Sequence, residues 1–179
     1  MGLTPWKKIS EEHVVENPWW TYKRDIYELP SGQRGEYNYV YSNGSSLIIP
    51  VLDDGSIVLI NQYRYLCERE SLEFPCGGVK PGSTHDETAW HELVEETGYS
   101  AHQLVLLAQF NPYNGVTNEM CHVYVARGLH HVGGTPDDTE EFEVVHLKPP
   151  EIDERIAEGL LWDGMTLAAW SQARLLMKF

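Results

Sequence analysis

Basic residues are scarce in this chain: 13 Lys and Arg stand against 27 Asp and Glu, a formal charge of -14 over 179 residues. That imbalance argues against non-specific binding to nucleic acid or to an anionic membrane, both of which need basic patches. It leaves room for a phosphate-bearing ligand where a metal ion and local arginines supply the positive field. Cysteine is also scarce. Cys67, Cys76 and Cys121 are odd in number and have no metal-ligand spacing, which disfavours a disulfide framework and points to a reducing compartment. No apolar run approaches the length of a membrane span and no signal-peptide pattern follows Met1, so a cytoplasmic protein is expected. Internal repeats and low-complexity stretches are missing too. What the chain does have is a 42% hydrophobic fraction and six Trp, which exclude disorder and fit one domain, or a smaller one with an arm.

The most informative stretch runs from Gly77 to Tyr99. The loop Gly77-Gly78-Val79-Lys80-Pro81-Gly82-Ser83 leads into a segment whose start and stop are both written in: Thr84 with Glu87 makes a capping box, and Gly98 is a left-handed stop. At about 100° per residue, Ala89, Trp90, Leu93, Val94 and Thr97 are assigned to a packing arc, with Glu92, Glu95 and Glu96 opposite them as an acidic face. Carboxylates at these spacings repel one another, and the helix dipole disfavours them in the last turns. A divalent cation offsets both effects, because hard ions take carboxylate and carbonyl oxygens and bridge to phosphate. The competing explanation is a solvated acidic face.

The run His91-Glu92-Leu93-Val94-Glu95-Glu96-Thr97-Gly98-Tyr99, with Gly77 at the right distance before it, resembles the Nudix box. Two positions differ: Ser83 stands where that pattern has Glu, and His91 where it has Arg. In the family those two form a loop-to-helix ion pair, so their joint change reads as a repaired scaffold contact, with His91 bonded to Ser83. The resemblance implies metal ligation by Glu92, Glu95 and Glu96, the carbonyl of Cys76 as a further ligand, Glu96 as a catalytic residue, and Mg²⁺ or Mn²⁺ as the cofactor.

Upstream, residues 1–18 read as an irregular polar arm. Residues 19–29 and 36–41 read as two strands about the turn Pro30-Ser31-Gly32-Gln33-Arg34-Gly35. The segment from Asn17-Pro18-Trp19-Trp20 to Glu36-Tyr37 resembles the amino-terminal arm of ADP-ribose pyrophosphatase-type Nudix proteins. That resemblance implies a homodimer in which the arm reaches the partner's site, and Trp19, Trp20 or Tyr22 would then stack on a nucleobase. Packing within the hairpin is the alternative. Residues 46–52 and 56–63 are apolar runs about Asp53-Asp54-Gly55 and read as a buried hairpin. Gln62-Tyr63-Arg64 and Glu73-Phe74-Pro75-Cys76-Gly77 are similar to elements of the ADP-ribose and nucleotide-sugar branch. By that similarity Arg64 lies near the diphosphate and Glu73 is a substrate or metal-shell residue; a surface ion pair is the alternative for Arg64.

After the box, strands are expected at residues 103–110, 120–127 and 142–147, and helices at 151–158 and 165–178. Between them, Glu119 is a candidate extra ligand or phosphate-side acid, with an ordinary loop acid the favoured alternative. His130 and His131 should face opposite ways on an extended chain. By resemblance a general base lies in the acidic loop before residue 142, with Glu140 and Glu141 as candidates against a plain solvated run. The expected fold class is α/β: a Nudix-type α/β/α sandwich with a mixed sheet and an N-terminal β-hairpin arm, divided into residues 1–45 (arm) and 46–179 (hydrolase domain). The implied activity is hydrolysis of the pyrophosphate bond of ADP-ribose or a nucleoside diphosphate sugar. Another nucleoside di- or triphosphate, or a catalytically impaired binding module, are the alternatives.

Overall fold

The computed structural model describes residues 2–134 and 141–177. Strands β1 (Lys7–Glu16), β2 (Thr21–Glu28) and β3 (Arg34–Tyr41) form an antiparallel sheet in that order. The expected β2–β3 hairpin is present, but the arm before it is not irregular: residues 7–16 make a full edge strand. The signal for that strand is electrostatic. Glu12 lies directly opposite Arg24 and bonds it, while Glu11 reaches Lys23 across the ladder at 2.9 Å. Cross-strand pairs of opposite charge support pairing without any apolar alternation.

The main body contains β4 (Ser45–Pro50), β5 (Ile57–Arg64), a 3₁₀ turn (Tyr65–Cys67), β6 (Arg69–Glu73), β7 (Cys76–Gly78) and helix α1 (His85–Thr97). These are followed by β8 (Tyr99–Ser100), β9 (Gln103–Phe110), β10 (Cys121–Arg127), β11 (His130–His131), β12 (Glu143–Leu147), α2 (Pro149–Ala157) and α3 (Gly164–Leu176). One sheet has the order β7-β4-β10-β9, with β4 and β10 parallel and the other neighbours antiparallel; a second has the order β12-β5-β6, and β11 pairs with β8. The expected β4–β5 hairpin is therefore only a turn. Leu52 and Ser56 close it, Val51 bridges Ile57, and the strands then part into different sheets. Both strands are apolar on both faces, so each is driven to the middle of its own sheet and cannot share an edge with the other.

Two cores flank β4 and β10. Leu47, Ile49, Val123 and Val125 face Phe74, Ile152, Leu161, Ala169 and Trp170, which brings α2 and α3 onto one side. Ile48, Tyr124 and Ala126 face Ala89 and Leu93 of α1 on the other. The result is the expected α/β/α arrangement, with alternate residues of β4 feeding opposite layers.

Candidate functional site

Helix α1 is fixed at both ends as its sequence dictates. Thr84 accepts from the Glu87 amide at 3.1 Å while the Glu87 carboxylate accepts from the Thr84 amide at 2.8 Å. Gly98, at φ 72°, caps the far end by donating to the Val94 carbonyl. Ala89 and Leu93 pack inward, so the helix lies across β4 and β7 and presents its carboxylates at the short strand β7.

The three box glutamates do not share an outward face. Glu96 is buried, and its Oε2 accepts the Cys76 amide at 3.0 Å. Its helical angle falls next to Ala89 and Leu93, so the assignment of an acidic arc opposite the packing one is corrected here; Trp90, placed in the packing arc, is 36% exposed. Glu92 folds over Gly77, where a Cβ would lie 2.1 Å from its Oε1. Only a glycine lets that carboxylate approach the strand. Glu95 accepts from His91, with Nδ1 and Oε2 2.8 Å apart. His91 thus pairs along its own helix, and the expected bond to Ser83 is not formed. The i, i+4 spacing of His91 and Glu95 was the signal that sequence reasoning passed over.

Ligand atoms of His91, Glu92 and Glu95 lie within 4.8 Å of one another. That donor set, carboxylate oxygens with an imidazole, fits a divalent cation. Glu96 sits deeper, beside β7. The Cys76 thiol is pushed well above its ordinary value, first by its bond with the Cys121 thiol and then by burial, so it stays protonated and is a poor ligand through sulfur. If Cys76 contributes to metal binding, it does so through its carbonyl.

Arg64 and Glu73 come together from β5 and β6. Arg64 Nε donates to Glu73 Oε1 at 2.8 Å and Nη2 donates to Oε2, a forked pair. The Glu73 carboxylate is buried while the guanidinium is about half exposed, and Gln62 adds a bond to Glu73 at 3.4 Å. Glu73 therefore aims Arg64, whose outer N–H edge faces away from the pair. Glu119 accepts from the Ser45 hydroxyl at 2.6 Å, which ties the loop after β9 to the start of β4. A groove of about 330 Å³ beside that loop is lined by Tyr37, Tyr39, Asn114, Thr117 and Asn118.

Other expected residues stay apart. Trp19 and Trp20 stand exposed at the β1–β2 turn, their amides held by Asn17 Oδ1, and among the described residues no bond or ring contact links them to the box. Glu141 is exposed ahead of β12; Glu140 lies outside the described residues. His130 and His131 face opposite ways, one ring against His102 and the other against Tyr99.

Comparison with known proteins bears on the family and the fold. The NUDIX domain family model matches residues 43–162. The chain belongs to the Nudix family and is a Nudix hydrolase of the ADP-ribose pyrophosphatase branch. It is 31% identical over 166 residues to a methanol dehydrogenase activator of Bacillus methanolicus, covering 91% of this chain and 89% of that one. It is 35% identical over 123 residues to an ADP-ribose pyrophosphatase of Bacillus subtilis, covering 69% and 66% respectively. A crystal structure of an ADP compounds hydrolase superposes with a TM-score of 0.84 over 98% of this chain and 95% of its own, at 22% identity, and shows the fold.

Proposed function

We propose that this pyrophosphohydrolase cleaves the diphosphate of ADP-ribose or a nucleoside diphosphate sugar, giving a nucleoside monophosphate and a sugar phosphate, with Mg²⁺ or Mn²⁺ as cofactor. The observation that carries the reading is the approach of Glu92 and Glu96 to β7, Glu92 over Gly77 and Glu96 on the Cys76 amide, with a Glu95 oxygen within 4.8 Å of a Glu92 oxygen. A divalent cation bound there would neutralise charge on the diphosphate oxygens. Arg64, held by the buried Glu73, offers its remaining N–H edge to a phosphate oxygen and orients the substrate. Glu140 or Glu141 takes the proton from the attacking water. Support for the substrate class comes from the likeness to an ADP-ribose pyrophosphatase.

The arm of residues 1–45 is part of the same proposal. As a homodimer, the protein would bring the exposed Trp19 and Trp20 of one subunit to a nucleobase bound by the other. A single sedimenting species of monomer mass at assay concentration would remove the dimer and the cross-subunit stacking together.

A second reading is favoured by the likeness to a methanol dehydrogenase activator: a regulatory module that binds a nucleotide conjugate, its turnover weakened by Ser83 and His91. One assay separates the two. The chain is given ADP-ribose, several nucleotide sugars and nucleoside triphosphates, with Mg²⁺ and with chelator, and nucleoside monophosphate release is followed. Metal-dependent release from the diphosphate sugars supports hydrolysis; binding of the same compounds without turnover supports the module.

A further inference from the structure

The Nudix box pattern has Arg where this chain has His91, and Glu where it has Ser83. An ion pair of that size would occupy the space between the loop and α1; here that space is a cavity of about 190 Å³ lined by Gly78, Lys80, Ser83, Glu87, Thr88, His91 and Glu92. The substitution also changes what position 91 can do. An arginine is always charged and carries no lone pair for a cation, whereas a neutral imidazole is a good ligand.

The geometry of α1 uses that difference. His91 Nδ1 and Glu95 Oε2 are 2.8 Å apart, one helical turn from each other, and Glu92 offers an oxygen within 4.8 Å of both. In octahedral coordination with bonds of about 2.1 Å, neighbouring ligand atoms are separated by about 3.0 Å and opposite ones by about 4.2 Å. The His91–Glu95 pair is already near the neighbouring separation and the Glu92 oxygen lies within 4.8 Å of both, so one ion can take all three by side-chain rotation. The His91 side chain is 61% exposed, which leaves it free to make them.

We propose that His91 is a metal ligand, joining Glu92 and Glu95 on one ion, and that this nitrogen donor shifts the site's preference from Mg²⁺ toward first-row transition ions. Imidazole suits Co²⁺, Ni²⁺, Fe²⁺ and Zn²⁺, and adds little for Mg²⁺, which favours oxygen. The inference rests on reading the box glutamates as a metal site, and deepens it by adding a ligand and a metal class.

The test uses the full chain and metal binding alone. Mn²⁺ is added to the wild type, to His91→Gln and to His91→Arg, and pulsed EPR is read for ¹⁴N coupling at the ion. Calorimetric titration then compares Co²⁺ with Mg²⁺, with circular dichroism confirming that each variant is folded. The expected result is ¹⁴N coupling in the wild type that disappears in both variants, with Co²⁺ affinity falling about tenfold or more and Mg²⁺ affinity changing far less. Bound Mn²⁺ without ¹⁴N coupling in the wild type, or coupling that persists in both variants, overturns the role of His91 and leaves the carboxylate site standing. Failure of any divalent ion to bind the wild type overturns the metal site as well.

Discussion

The N-terminal sheet and the sheet beneath α1 are built on opposite principles. Every residue of β4 is buried, and its apolar side chains feed two cores. Every residue of β1 is exposed, and the one buried residue across β1, β2 and β3 is Lys23, which bonds Glu11 and lies over the Tyr41 ring. The sandwich is driven by removal of apolar surface from water, which is large and, unlike an ion pair, is not screened by salt. The N-terminal sheet is held by its backbone ladder and exposed ion pairs, each of small worth. A sheet so thinly cored, with Trp6, Val15 and Trp19 on its surface, is the part of the molecule that stands to gain from a partner.

The sharpest break between the regions should be functional. Replacing Glu96 by Gln keeps an acceptor for the Cys76 amide while removing the charge, so kcat/KM is expected to fall on the order of 10²–10⁴-fold with the melting temperature little changed. Unfolding of the variant instead would make Glu96 a structural residue. Next is stability. Leu47→Ala, in the fully buried strand, should cost about 2–5 kcal/mol in denaturant unfolding, whereas Val15→Ala in β1 should stay within about 0.5 kcal/mol. A large, concentration-dependent cost for Val15→Ala would show that a second subunit covers β1.

Gly77→Ala should act between these extremes. The added methyl displaces the Glu92 carboxylate, so affinity for a divalent ion is expected to fall about 10–100-fold by calorimetry. An unchanged affinity would mean that Glu92 need not approach β7. The smallest effect is pH-dependent and confined to the N-terminal sheet. Bonds from Lys8 and then Lys23 lower the Glu11 carboxyl from its ordinary 4.5 to about 2. Because the folded value is depressed, its contribution is present above pH 4.5 and is lost as the pH falls toward 2. Amide resonances of β1 and β2 should therefore broaden in that window before those of β4, and Glu11→Gln should flatten the difference.

Much of the fold could be read from periodicity and caps. The capping box at Thr84, the stop at Gly98 and the strands after the box lie where local chemistry puts them, within a residue or two. Where reading failed, non-local contacts had the decision. Strand β1 has no apolar pattern, because its pairing information sits in the charges of β2. The apolar runs of β4 and β5 cannot announce that they part, because a run buried on both faces looks the same whichever strand lies beside it.

The sequence by itself determined the candidate site residues: the box spacing puts Glu92, Glu95 and Glu96 on one helix, with Gly77 ahead of it. The tertiary structure alone decided where each of them sits. Packing α1 against β4 and β7 turned Glu96 inward to an amide, laid Glu92 over Gly77, and left Glu95 part-buried against the exposed His91. Helical spacing sets the angle between side chains, but only the neighbouring strand sets which angles meet protein and which meet water.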